Sequence, residues 1–255
     1  MSSHRNKTNQ QFNPQAQAYL ASSVHAEGAD LQYAQALVAR TLPTSAQAVD
    51  IGCGAGHLSF TLAPHLARMV ALDPAQQMLD TVATSAAERA LPQIETCQAP
   101  AEALPFPDQS FCMAATRYSA HHWTQLEAAL KEMHRVIRPN GYLLMIDVIG
   151  DANPLVDTHL QAMELLRDPS HVRNRSQAEW RALLSVSGFE LAEYCDWPVR
   201  LEFASWVARM RTSAPRVAQI RELQRDAPLE VKQGLAIEDD GSFTIRTGLF
   251  WAKRV

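Results

Sequence analysis

The stretch Val49-Asp50-Ile51-Gly52-Cys53-Gly54-Ala55-Gly56-His57-Leu58 sets the reading of this chain. An apolar strand end runs into three glycines at alternate positions and then into a helix. Glycine at 52, 54 and 56 accepts positive φ and lets a ligand approach the main chain with no Cβ in the way, and the following helix offers unpaired N–H groups. Such a loop holds a nucleotide-like ligand. Its spacing then discriminates, because a dinucleotide-binding fingerprint places its third glycine three positions after the second. Here Gly56 follows Gly54 by two and position 57 is His, so the loop is one residue tighter and reserves no slot for a pyrophosphate. Taken alone, the same glycines also suit a plain tight turn.

A second signal lies seventeen residues beyond Gly56, where Met69-Val70-Ala71-Leu72 ends at Asp73 and Pro74 follows at what would be the first helical position. This reads as a second strand ending in a carboxylate, which can accept both hydroxyls of a ribose. The competing role is a plain N-cap for a helix over Pro74–Ala87. Capping alone gives no reason for a glycine loop at that distance upstream.

The chain has 255 residues, 47% of them hydrophobic, enough for a full core as one domain, or as one domain with a small appendage. No apolar run approaches the roughly 20 residues that span a bilayer, and Met1–Gln11 lacks the apolar core of a signal peptide, so a cytoplasmic location is expected. Cys53, Cys97, Cys112 and Cys195 form no C-x-x-C pair and read as reduced, partly buried thiols with no zinc site. The formal net charge of −4 is not the basic balance of a protein that grips nucleic acid through its phosphates.

Strand and helix patterns alternate along the chain, which implies a parallel sheet with helices on both faces. Leu31, Ala34, Leu37 and Val38 repeat at helical spacing, and Ala46–Ile51 supplies the first strand. The third and fourth strands are read over Gln93–Gln98 and Ser110–Arg117, a helix over Thr124–Ile137, and the fifth strand over Tyr142–Val148 after a Pro139-Asn140-Gly141 turn. Ser176-x-x-Glu179 is a capping box that opens a helix ending at Gly188, and Phe189–Tyr194 and Phe243–Lys253 are the last strands. Two segments stand outside this scheme: residues 1–30, read as an N-terminal lid, and 197–240, read as a helical cap carrying Phe203, Trp206, Val207 and Met210 at helical spacing. The α/β domain is then 31–196, completed by the final strand in 241–255. Covering a sheet edge is the alternative role for both outlying segments. The arginines at 209, 211, 216, 221 and 225 read as a solvated helix face.

The segment Ala101-Glu102-Ala103-Leu104-Pro105-Phe106-Pro107-Asp108-Gln109-Ser110-Phe111 identifies a family. With the glycine loop, Asp73 and the Arg138-Pro139-Asn140-Gly141 turn, it resembles the class I S-adenosylmethionine (SAM) methyltransferases, in the subfamily of the ubiquinone and menaquinone C-methyltransferases. The likeness runs over roughly residues 46–148. It implies a doubly wound, Rossmann-like sheet of seven mostly parallel strands with the last antiparallel. It also implies SAM as cofactor and S-adenosylhomocysteine as product. The cofactor set so implied is Asp50, Gly52, Cys53, Gly54, Gly56, Asp73, Met78, Ala101, Glu102 and Arg117. Where the family often has Asp before the position of Ala101, this chain has Pro100, whose side chain donates nothing to an adenine.

After the fourth strand, Arg117-Tyr118-Ser119-Ala120-His121-His122-Trp123 occupies the place of the family's His-His motif, beside the methyl donor. The acceptor set expected from this is Tyr19, Tyr118 and His122, with His121 or His122 as catalytic base should the acceptor have to lose a proton. Packing and backbone hydrogen bonding are the competing roles for the pair. The function expected is methyl transfer to carbon or oxygen of a small-molecule acceptor, with no nucleic-acid partner and no membrane span. A non-catalytic SAM-binding or regulatory module shares the same loop. A nicotinamide oxidoreductase would need G-x-G-x-x-G and leaves Ala101–Phe111 without a role.

Overall fold

A computed structural model describes His4 and residues 28–255. Helix α1 (Ala29–Thr41) leads into β1 (Gln47–Ile51), α2 (His57–Leu62), β2 (Arg68–Asp73), α3 (Gln76–Glu88) and β3 (Ile94–Gln98). The chain continues through β4 (Phe111–Arg117), α4 (Leu126–Val136), β5 (Ile137–Ile149), α5 (Pro154–Arg167), α6 (Gln177–Val186) and β6 (Phe189–Leu201). Helices α7 (Phe203–Arg209), α8 (Ala214–Asp226) and α9 (Leu229–Gly234) precede β7 (Phe243–Arg254). The strands lie in the order β3-β2-β1-β4-β5-β7-β6, with β7 antiparallel to both neighbours and the remaining pairs parallel. This is the expected doubly wound sheet. The order reverses between β1 and β4, and the crevice that such a reversal leaves at the carboxyl ends of the strands is where ligands of open α/β sheets bind.

The apolar strands explain why both faces are covered. Val49, Ile51, Val70, Leu72, Ala114 and Met145 pack with Leu126, Leu130 and Met133 of α4 and Trp180 of α6. The alternate residues Ala48, Met69, Met113 and Leu144 pack on the other face with Leu37 and Val38 of α1 and Leu58 and Leu62 of α2. Each fully buried side chain of this size contributes about 1.5–3 kcal/mol, so neither face can be left open to water. Leu104 and Phe111 are buried, and Phe106 meets Phe111 edge-on at 4.9 Å between centroids, as the loop's spacing requires.

Several boundaries differ from the sequence reading. Pro74 precedes the helix instead of opening it, because α3 starts at Gln76 with Ala75 as its N-cap. The Pro139-Asn140-Gly141 turn is absorbed into β5 as an irregularity opposite Phe111 and Met113, and Asn140 takes the positive φ of 61°. Strand β6 runs on to Leu201, so residues 197–201, assigned to the cap from sequence, are strand paired with β7. Helix α5 was not read from sequence, although Asn153 caps it by accepting from the Leu155 N–H at 3.0 Å and Pro154 occupies its first turn. That helix supplies part of the cap's core. Val156, Leu160 and Met163 of α5 pack with Phe203 and Trp206 of α7, Ile220 of α8, Val231 of α9, and the strand residues Leu201, Phe243 and Ile245. The 1–30 lid and Tyr19 lie outside the described residues, apart from His4 and residues 28–30. Among the described residues, no helix is long and apolar enough to cross a membrane.

Candidate active site

The glycine loop turns off the end of β1 because its first two amides, Gly52 N–H and Cys53 N–H, both donate to the Leu72 carbonyl at 2.8 and 3.0 Å. Gly52, Gly54 and Gly56 all take positive φ, at 69°, 51° and 91°. Their demands differ. A Cβ on Gly54 would meet no atom within 4 Å, so this position faces open space, while a Cβ on Gly56 would strike Phe60 and Val82 at 2.8 and 2.9 Å. Gly56 is therefore a packing glycine between α2 and α3, and it does not line the cavity where sequence placed it.

Asp73 holds the loop from the neighbouring strand. Its Oδ2 accepts from Gly54 N–H at 3.0 Å and its Oδ1 from Ala75 N–H at 2.8 Å, which leaves a further lone pair on each oxygen. Burial pushes its carboxyl up to about 6, against the two backbone donors that favour the charged form. Asp50, 1% exposed on β1, accepts from Ser59 Oγ at 2.7 Å through Oδ2, and its Oδ1 has no partner. Burial, opposed by Ser59 and reinforced by the charge of Asp73, pushes Asp50 up to about 7. Two buried carboxyls with unfilled acceptor capacity beside a bare glycine form a cradle for a polar, hydroxyl-bearing ligand.

One cavity extends from this cradle to the cap. Its walls include Asp50, Gly52, Cys53, Gly54, Asp73, Met78, Ala101, Glu102, Arg117, Tyr118, His121 and His122, which are the described residues singled out from sequence with Gly56 excepted. Pro100 also lines it, and His4, which meets the His122 carbonyl at 3.2 Å, lies at the same wall. The guanidinium of Arg117 is buried in an ion pair with Asp30 of α1 at 2.5 Å and stacks on Tyr118 at 4.6 Å. Tyr118 has a positive φ of 51°, its hydroxyl meets Thr247 Oγ1 at 2.9 Å, and burial first, then the charge of Asp30, pushes its phenol up to about 12.

The cap end adds residues that the sequence did not single out as part of the site. Val148, Val199, Leu201, Trp206 and Ile245 form an apolar wall, and Glu164, Arg167, Asp168, Asn174 and Arg209 add polar groups. Arg209 is thus a cavity residue and Arg221 is tied to Gln224 and the Asp239 carbonyl, so the arginines are not one solvated face. Asp147, at the end of β5, meets His121 Nδ1 at 2.5 Å. A carboxylate inside the apolar run Leu144–Val148 was the available signal for it. His122 turns the other way, with Nδ1 on the Ser170 carbonyl at 3.0 Å and Nε2 4.0 Å from Asp168.

Comparison with known proteins places this geometry. A family model described as "Methyltransferase domain" matches residues 49–145. The uncharacterised methyltransferase YcgJ of Bacillus subtilis is 33% identical over 211 residues, 82% of each chain. The chain belongs to the SAM-dependent methyltransferases. The uncharacterised protein YafE of Escherichia coli is 42% identical over 193 residues, covering 76% of this methyltransferase and 93% of YafE. The crystal structure of YcgJ superposes with a TM-score of 0.84 at 28% identity, covering 88% of this chain and 97% of that one. A ubiquinone/menaquinone C-methyltransferase of Hahella chejuensis is 46% identical over 63 residues, a quarter of each chain. The open space over Gly54, the lone pairs left on Asp73 and the unpartnered Asp50 oxygen fit the hydroxyls and amino group of SAM.

Proposed function

We propose that this methyltransferase moves a methyl group from SAM to a carbon or oxygen of a small-molecule acceptor. The observation that carries the reading is the single cavity that joins the glycine loop and Asp73 to the histidine pair and the apolar cap. Bound SAM supplies a methyl group activated by its sulfonium. The backbone at Gly52–Gly54, with Asp50, faces the amino-acid portion, and Asp73 takes the ribose hydroxyls. Met78, Ala101 and Glu102 flank the adenine, with no side-chain hydrogen bond from Pro100. Arg117 shapes this wall through its pair with Asp30. Tyr118 and His122 border the acceptor, and Val148, Val199, Leu201, Trp206 and Ile245 keep water from it. Holding donor and acceptor at near-attack distance is by itself worth roughly 7–11 kcal/mol of the barrier. The apolar wall fits the body of a small molecule, and the net charge of −4 disfavours a nucleic-acid acceptor.

Isothermal titration with SAM, S-adenosylhomocysteine and NAD, followed by label transfer from methyl-labelled SAM into a small-molecule cell extract, tests the reading. Binding of the two sulfur ligands, no binding of NAD and labelled small molecules are expected. NAD binding in place of SAM overturns the cofactor. SAM binding without labelled product favours the regulatory-module reading.

A further inference from the structure

We propose that Asp147 and His121 form a base dyad in which Asp147 positions the imidazole through Nδ1 and leaves Nε2 to take the proton of the acceptor. The inference deepens the function proposed above and rests on it. It also narrows the acceptor to molecules whose methylated atom carries a dissociable proton, such as a phenol, an enol or an activated carbon acid.

The geometry is specific to one of the two histidines. Asp147 is 1% exposed, and three N–H donors converge on it. His121 Nδ1 lies at 2.5 Å from Oδ1, the Val148 amide at 2.8 Å from Oδ1, and the His121 amide at 3.1 Å from Oδ2. The same residue is thus gripped at its backbone and at its ring, which fixes the ring plane as well as its position. A carboxylate can only accept, so Nδ1 carries the hydrogen and the lone pair of the neutral ring sits on Nε2. No described residue bonds that Nε2, and His121 lines the cavity. Parallel pairing of Arg117 with Ile146 brings the two together, because it sets the residues beyond β4 beside the end of β5.

The surroundings separate the pair electrostatically. Burial is the largest single influence and pushes His121 down, but Asp147, by its charge and its hydrogen bond, together with Glu164 and Asp168 from α5 and its end, outweighs it, and the group lies above its ordinary value. His122 and His171, with ring centroids 4.2 and 5.8 Å from His121, are the other titratable rings beside it. Arg173 lies beside it, its amide donating to the His121 carbonyl at 3.1 Å, Arg175 is within the field of Asp147, and Arg167 acts on His171. His122 is pushed down to about 4 by burial and by the charge of His121, so it is too weak a base to hold a proton near neutrality. In the reaction, the acceptor atom forms its bond to the methyl carbon as the carbon–sulfur bond breaks with its electron pair left on sulfur. The acceptor's proton passes to Nε2, and the resulting imidazolium faces Asp147 until it releases that proton to water.

Long-range ¹H–¹⁵N correlation on histidine-labelled protein reads the dyad directly, in the free protein and with S-adenosylhomocysteine, the His121→Gln spectrum supplying the assignment. The expected result is an Nδ1–H tautomer with a titration midpoint above the ordinary value of about 6.5, falling by about one unit or more in Asp147→Asn. In label transfer from methyl-labelled SAM to a small-molecule extract, His121→Gln and Asp147→Asn lose roughly 10²–10⁴ in rate, and the acid limb of the wild-type profile follows the NMR midpoint. His122→Asn keeps that limb and changes the acceptor KM. An Nε2–H tautomer, an unmoved midpoint in Asp147→Asn, or wild-type rate in His121→Gln overturns the dyad. Failure of the wild-type protein to bind S-adenosylhomocysteine overturns the cofactor reading instead, and the tautomer in the free protein still decides the dyad.

Discussion

The glycine-loop end of the cavity and its cap end differ in how their residues are brought together. At the first end, Asp50 to Gly54 are consecutive, and Asp73 reaches them because β1 and β2 pair in register from Gln47 with Arg68 to Ile51 with Leu72. At the second, Tyr118 and His121 follow β4, Asp168 and Asn174 lie between α5 and α6, Trp206 is on α7 and Ile245 on β7, four separate segments gathered round one cavity where α5 and α7–α9 close an apolar core over the strand ends. The loop end is thus a property of backbone conformation and local pairing. The cap end is a property of packing. Substitutions at the two ends therefore have different signatures, binding at one and cap stability or acceptor handling at the other.

Gly54→Val gives the largest separation. The fold has room for the side chain, since nothing lies within 4 Å of a Cβ there, but the branched group fills the ligand's space at a φ of 51°. S-adenosylhomocysteine binding is lost in titration while circular dichroism keeps its folded form. Retained affinity would reduce the loop to a turn and remove the contrast between the two ends.

Trp206→Ala tests the other end. This side chain is 2% exposed in the cap core and meets Phe243 edge-on at 4.9 Å. Its loss costs about 3–5 kcal/mol, read as hydrogen-exchange protection lost over α5 and α7–α9, with S-adenosylhomocysteine affinity held within about tenfold. A collapse of cofactor affinity would mean that the two ends are one cooperative unit.

Asp50 sharpens the comparison through pH. Its folded-state pKa of about 7 lies above the ordinary carboxyl value, so its contribution to stability is present below about pH 4 and lost as pH rises through 7. Asp50→Asn escapes that loss. The ligand-free variant gains on the wild type by an amount on the order of a few kcal/mol between pH 4 and 7, as measured by denaturant unfolding at each pH. A stability difference that stays flat with pH would contradict the account of Asp50 as a buried, half-partnered acid.

The smallest effect is expected at Asp73. Asp73→Asn keeps an acceptor for one of the two backbone amides and removes the charge offered to a ribose, weakening S-adenosylhomocysteine by about 1.5–3 kcal/mol in titration with the fold intact. Unchanged affinity would leave Asp73 with only its bonds to Gly54 and Ala75.

Much of the fold was legible because its signals are local. Apolar runs ending at Ile51 and Asp73, the capping box of Ser176 and Glu179, and the pattern Leu126, Leu130, Met133 each specify an element through a few neighbouring residues, and each is in place. Boundaries slipped where tertiary contacts extended an element, as when pairing with β7 carried β6 seven residues past its expected end at Tyr194 to Leu201. Helix α5 went unread although Asn153-Pro154 marked its start.

By itself the sequence determined the strand–loop–helix unit at Val49–Leu58, the acid at the end of the second strand and the family segment Ala101–Phe111, because backbone conformation and hydrophobic period are encoded residue by residue. Only the tertiary structure decided which glycine faces open space and which is packed, that Arg117 is held by Asp30, and which histidine lies on Asp147. Adjacent histidines in a sequence are equivalent until strand pairing and burial give one of them a carboxylate and the other a backbone carbonyl, since those partners arrive from residues 26 and 48 positions away.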